Sequence, residues 1–177
     1  MKNPIILFFL LFSFSVFGQD YSSRIVLKGK AKLLTTWSWK SESTISNMLS
    51  CGDKLTVKMQ TQTGIEVLII NNNTSKRLMT INETEDLYIQ CFEYDFDSDG
   101  KNEIIIASSP EAASLNVYVF KYNNGISELV GSFGSTNEID LKKNEILLPM
   151  GFQGLGSEYA YRNGAFYELI YHKPKEN

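Results

Sequence analysis

Asp95, Asp97, Asp99 and Glu103 are the residues of this chain whose type and spacing carry chemistry. Three aspartates take alternate positions, Gly100 follows the third, and Glu103 closes the run Asp95-Phe96-Asp97-Ser98-Asp99-Gly100-Lys101-Asn102-Glu103. Hard cations such as Ca²⁺ gather roughly six to eight oxygen ligands at about 2.3–2.6 Å, and a turning backbone delivers alternate side chains to one centre. On that pattern Asp95, Asp97 and Asp99 each supply a carboxylate oxygen, Lys101 its backbone carbonyl and Glu103 one or two further oxygens, while Gly100 takes the sharp turn. Without a cation the four carboxylates would crowd one loop and repel each other. The expected cofactor is a structural Ca²⁺; the bland alternative is an acidic turn that only keeps a hairpin soluble.

The elements around the run decide what kind of loop it is. An EF-hand needs a bidentate Glu at loop position twelve and a helix on each side, but position twelve from Asp95 is Ile106. After Glu103 comes Ile104-Ile105-Ile106-Ala107-Ser108, a β-branched run that reads as a buried strand. Leu87 to Tyr94 is rich in β-formers and enters the loop as a second strand. The segment DFDSDGKNEIIIA, Asp95 to Ala107, resembles the D-x-D-x-D-G-x-x-[DE]-[ILV] signature of FG-GAP and VCBS repeats. The resemblance implies a calcium-carrying hairpin of the kind found in integrin-type β-propeller blades.

Other chemistry finds little support. His172 is the single histidine and sits in a Lys- and Pro-containing tail, away from any Ser-His-Asp arrangement. Glu138, Asp140, Glu145 and Glu158 could furnish a carboxylate pair for glycoside hydrolysis, but nothing selects two of them. The expectation is a protein that is not an enzyme. Cys51 and Cys91 permit one disulfide, closing a loop of about 40 residues and worth roughly 3–4 kcal/mol, or else two buried free thiols. Gly151-Phe152-Gln153-Gly154-Leu155-Gly156-Ser157-Glu158-Tyr159 reads either as a bulge between strands or as a protruding recognition loop with Gly156, Ser157 and Tyr159 as partner contacts. The order of calcium loop, long hairpin, Gly-Ser…Tyr stretch and closing Tyr-x-Asn-Gly hairpin, from about Asp95 to Ile170, is also similar to periplasmic β-sheet proteins that inhibit peptidoglycan-cleaving lysozymes or give immunity to them.

Most remaining signals are strand and turn. Thr35 to Lys40 alternates so that Trp37 and Trp39 share a face, most simply a core face. Ser41 to Gly52, with Ile45, Met48 and Leu49 on one side and Gly52 as a stop, predicts the one short helix. Lys54 to Gln60 and Ile65 to Asn71 predict a hairpin, and Arg77 to Ile81 a short strand. Leu115 to Tyr122 and Ile126 to Phe133 flank Asn124-Gly125, the dipeptide that a type I′ turn favours. The phrase Tyr122-Asn123-Asn124-Gly125…Glu128-Leu129-Val130 returns as Tyr161-Arg162-Asn163-Gly164…Glu168-Leu169-Ile170, a repeat of about 39 residues.

Met1 to Gly18 has a basic start, a short apolar run and a small residue before Gln19, the pattern of a bacterial-type secretory signal peptide without a lipobox cysteine. That apolar run is shorter than the roughly 20 residues a spanning helix needs. The expected location is secreted or periplasmic, with no transmembrane span after cleavage. Removing the leader takes one Lys from 17 basic residues and none from 20 acidic ones, leaving −4, which together with the lack of a basic stripe argues against nucleic acid. Residues 19–177 suit one domain. The expected fold is all-β, built of antiparallel hairpins arranged as propeller-like blades or an open sheet with at most one short helix. The expected function is a non-catalytic, calcium-binding module for a protein or glycan of the cell envelope; the alternative is an inhibitor or immunity protein against a lysozyme.

Overall fold

A computed structural model describes residues 25–38, 44–60, 64–72, 74–82, 87–111, 114–136, 138–150 and 155–169. The fold is all-β. In chain order the strands are β1 (Val26–Lys28), β2 (Lys32–Ser38), β3 (Thr44–Met48), β4 (Lys54–Gln60), β5 (Gly64–Asn71), β6 (Thr74–Ile81), β7 (Tyr88–Tyr94), β8 (Glu103–Glu111), β9 (Ser114–Asn123), β10 (Ile126–Ser135), β11 (Glu138–Lys142), β12 (Glu145–Met150), β13 (Leu155–Arg162) and β14 (Ala165–Glu168). They form three open sheets, ordered β3-β4-β5-β6, β10-β9-β8-β7-β2 and β1-β11-β12-β13-β14.

The connectivity has a simple logic. The first three strands each enter a different sheet, and the rest of the chain then completes the sheets as antiparallel meanders, β4 to β6, β7 to β10 and β11 to β14. The N-terminal run thus stitches the three sheets together. It also introduces β1 with β11, the one parallel pair among the described residues, into an otherwise antiparallel arrangement there.

The sheet holding β7 to β10 is the middle layer. On one side Ile89, Cys91, Ile104, Ile106, Phe120 and Tyr122 pack against Leu55, Val57, Ile65, Val67 and Ile69 of the first meander. On the other, Tyr88, Phe92, Ile105, Val117 and Val119 pack against Ile139, Leu141, Ile146, Leu148 and Tyr161 of the last. Successive strand side chains face opposite ways, so a strand covered on both faces must be apolar at every position. That is why Ile104-Ile105-Ile106-Ala107 shows no alternation and is 1% exposed or less throughout.

Turn chemistry ends the strands where expected. Asn124 and Gly125 have φ of 49° and 81°, and Asn163 and Gly164 have φ of 53° and 78°. Positive φ at both central residues is the I′ geometry that matches strand twist. The two copies of the sequence repeat therefore close equivalent hairpins, the last of the second and third meanders. Asn72, at φ 50°, closes the last hairpin of the first. Gly64 opens β5 at φ 96°, where a Cβ would lie 2.1 Å from the Ile81 carbonyl oxygen, so no side chain fits.

The element expected over Ser41 to Gly52 differs from the sequence-based expectation. Within Ser41 to Gly52 the structure has strand β3 followed by a turn at Leu49–Asp53, in place of a helix. Ile45 pairs opposite Val57 and packs into the core, whereas Met48 is 52% exposed. The helical spacing of Ile45, Met48 and Leu49 was coincidental, and the free edge of β4 supplied the backbone partners that decide the matter. Trp37 is fully buried, as a core residue should be; Trp39, the leader and His172 lie outside the described residues. Among the described residues no helix is long and apolar enough to cross a membrane.

Candidate metal centre

The acidic run connects β7 to β8, leaving the sheet after Tyr94 and rejoining it at Glu103, which pairs with Tyr94. Two left-handed residues, Ser98 at φ 62° and Gly100 at φ 82°, fold the loop back on itself. Its own backbone then holds the acids. The Asp99 N–H donates to Asp95 Oδ1 (3.1 Å) and Asp97 Oδ1 (3.2 Å), the Gly100 N–H to Asp95 Oδ2 (2.9 Å), and the Lys101 N–H to Asp99 Oδ1 (2.7 Å). Aspartate accepts from the backbone two residues on more readily than longer side chains do, which is why this residue type recurs at alternate positions.

One carboxylate oxygen from each of Asp95, Asp97 and Asp99 lies within 4.8 Å of the others. Two ligands on opposite sides of a Ca²⁺ ion stand roughly 4.6–5.2 Å apart. The span therefore suits a single hard cation. Two unit charges about 4 Å apart repel by about 1 kcal/mol even in bulk water, so the triad has energy to gain from an ion. Asp95 is half-buried and Asp99 exposed, leaving the site open to solvent.

Glu103 does not join them. It is 2% exposed, its Oε2 accepts the Phe96 N–H (3.2 Å) and its Oε1 accepts the Tyr161 hydroxyl (3.0 Å). Burial raises its pKa, with the charge of Asp97 adding to the shift and the hydrogen bonds opposing it. The carboxylate expected to close the metal shell lies outside the aspartate group and accepts hydrogen bonds from two buried donors inside the protein. Lys101 stands in the loop as expected, but what the structure fixes is its N–H on Asp99.

The residue that sequence reasoning passed over is Phe96. It is fully buried between two acids, with its ring 4.8 Å from Tyr94, 5.2 Å from Phe166 and 5.4 Å from Tyr161. Its carbonyl accepts the Asn144 N–H (2.7 Å), and the Asn144 carbonyl accepts the Tyr161 N–H (2.6 Å). Phe96 thereby docks the loop onto the last meander. The available signal was a large apolar side chain interrupting a run that is otherwise polar.

Gly156, Ser157 and Tyr159 are not in a protruding loop. All three stand in β13, paired opposite Pro149, Leu148 and Ile146 of β12. The Tyr159 ring packs against Phe133 at a tilt of 43° with centroids 4.5 Å apart, and the Ser157 hydroxyl donates to Glu168 (3.4 Å). Their backbone groups serve the ladder, which removes them as a flexible contact loop; residues 151–154 lie outside the described ones. Cys51 and Cys91 are free thiols, Cys51 exposed in the β3–β4 turn and Cys91 buried in β7 with its pKa pushed up to about 12 by burial. The disulfide alternative is not formed.

No family model, no curated protein and no solved structure matches this chain.

Proposed function

We propose that this chain is an exported, non-catalytic β module pinned by a structural Ca²⁺ at Asp95, Asp97 and Asp99, and that it contacts a protein or glycan of the cell envelope. One observation carries the reading: three carboxylate oxygens within 4.8 Å of one another on a loop whose own N–H groups orient them. Such a loop spends little conformational entropy when an ion arrives, because its side chains are already held. The resemblance of Asp95 to Ala107 to FG-GAP and VCBS calcium hairpins supports the same assignment.

Binding energy at a site formed only in the folded state adds to stability. At the affinities of extracellular calcium modules, roughly 10⁻⁴–10⁻³ M, millimolar calcium contributes on the order of 1 kcal/mol. The ion then acts as a pin and not as a signal, and partner contact falls to the loops that the rigid sheets present. Thermal melts with calcium and with a chelator test the reading. Wild type should melt higher with calcium, and Asp97→Ala combined with Asp99→Ala should abolish the difference. Equal wild-type melts in both conditions would overturn the assignment.

A further inference from the structure

We propose that a cleft beside the acidic loop receives a cationic group, the ammonium or guanidinium of a basic side chain on a partner. The proposal deepens the binding-module reading and rests on it only for the partner being a macromolecule. The cleft lies where the β3–β4 turn, the β9–β10 turn and the segment Gly100 to Asn102 converge, and its volume is about 260 Å³. A water molecule's share of liquid is roughly 30 Å³, so the space holds the end of one long side chain and is below the range of sites for drug-sized ligands.

The polar centre of the cleft is Asp53. Its Oδ2 accepts both the Tyr122 hydroxyl and the Asn71 amide (3.2 Å). Burial, then the hydrogen bond to Asp53 and its charge, push the Tyr122 hydroxyl up to about 12, so it stays protonated and donates. Both donors are neutral. They orient the carboxylate without cancelling its charge. Among the described residues no Lys or Arg nitrogen forms an ion pair with Asp53; the ion pairs found join Lys28 to Glu138, Lys32 to Glu93 and Arg77 to Glu66. Glu93 also lines the cleft, and its charge is met from outside by Lys32 at 3.1 Å and by the Ser50 N–H at 2.8 Å and hydroxyl at 2.7 Å.

Lys101 also lines the cleft, but among the described residues it forms no ion pair with Asp53; an oriented carboxylate without an ion pair in a half-enclosed space attracts the opposite sign. A cation there adds Coulomb attraction between unlike charges to the hydrogen bond it donates, which a neutral sugar hydroxyl donating to the same carboxylate does not have. The cleft is thus better matched to a basic side chain than to a neutral glycan.

The test is titration of the folded protein with acetyl-arginine amide, read by chemical-shift changes at Asp53, Tyr122 and Asn123, against the neutral isostere acetyl-citrulline amide and against N-acetylglucosamine. Arginine should bind at about millimolar strength, as suits a single side chain, and citrulline at least tenfold more weakly. Asp53→Asn should abolish the preference. Tyr122→Phe keeps both the ring and the charge and should weaken arginine several-fold, which keeps the proposal testable if Asp53→Asn fails to fold. Equal binding of arginine and citrulline, a stronger response to the sugar, or a Tyr122→Phe protein indistinguishable from wild type would overturn it. The arms separate the two readings. Calcium-dependent melting with no preference for arginine sinks the cleft and leaves the calcium module standing. Arginine binding without any calcium effect does the reverse.

Discussion

The acidic loop is two structures interleaved in nine residues. Asp95, Asp97 and Asp99 gather their carboxylates toward a solvent-open centre, held by the loop's own backbone. Phe96 and Glu103 turn the other way, into the protein, where one is fully buried and the other is 2% exposed. The difference teaches that the four acids of the run are not one set. Three gather at a solvent-open centre, and the fourth ties the loop to the last meander through Tyr161.

This division can be broken by experiment, most forcefully on its buried half. Phe96→Ala removes a fully buried ring from the aromatic cluster with Tyr94, Tyr161 and Phe166, and should cost about 3–5 kcal/mol, seen as a lower denaturant midpoint with or without calcium. A loss under about 1 kcal/mol would mean that the loop is not docked through Phe96.

Glu103→Ala should come next, at about 2–3 kcal/mol, because it leaves the Phe96 N–H and the Tyr161 hydroxyl without their acceptor in a buried place. Relief of the burial cost of the carboxylate offsets part of the loss. The calcium-dependent shift should survive in this variant. If it vanishes while the chelated protein stays as stable as wild type, Glu103 belongs with the triad and the division is wrong.

Tyr161→Phe sharpens the same point, since it deletes one hydrogen bond to a charged acceptor and keeps the ring. It should cost about 1.5–2 kcal/mol by chemical denaturation. Smallest is removal of calcium itself, on the order of 1 kcal/mol by differential scanning calorimetry, confined to proteins that retain Asp97 and Asp99. An ordering in which chelation outweighs Phe96→Ala would make the exposed half of the loop the one that holds the fold.

Much of this molecule was legible from local pattern. Alternating and continuous apolar runs, with Asn-Gly between them, determined most of the strands and two hairpin turns, because strand periodicity and positive φ are properties of a few neighbouring residues. The spacing Asp95, Asp97, Asp99 likewise determined the triad, since its geometry is made by hydrogen bonds two to five residues apart. Tertiary structure alone decided the rest. Ile45 lies in a strand because β4 offered an edge, and Ser157 stands in a paired strand because β12 lies beside it. Glu103 faces the core, where a tyrosine 58 residues away donates to it. Each of those outcomes depends on a partner supplied from elsewhere in the chain, and spacing along one segment cannot encode competition for a donor or an edge that only folding brings near.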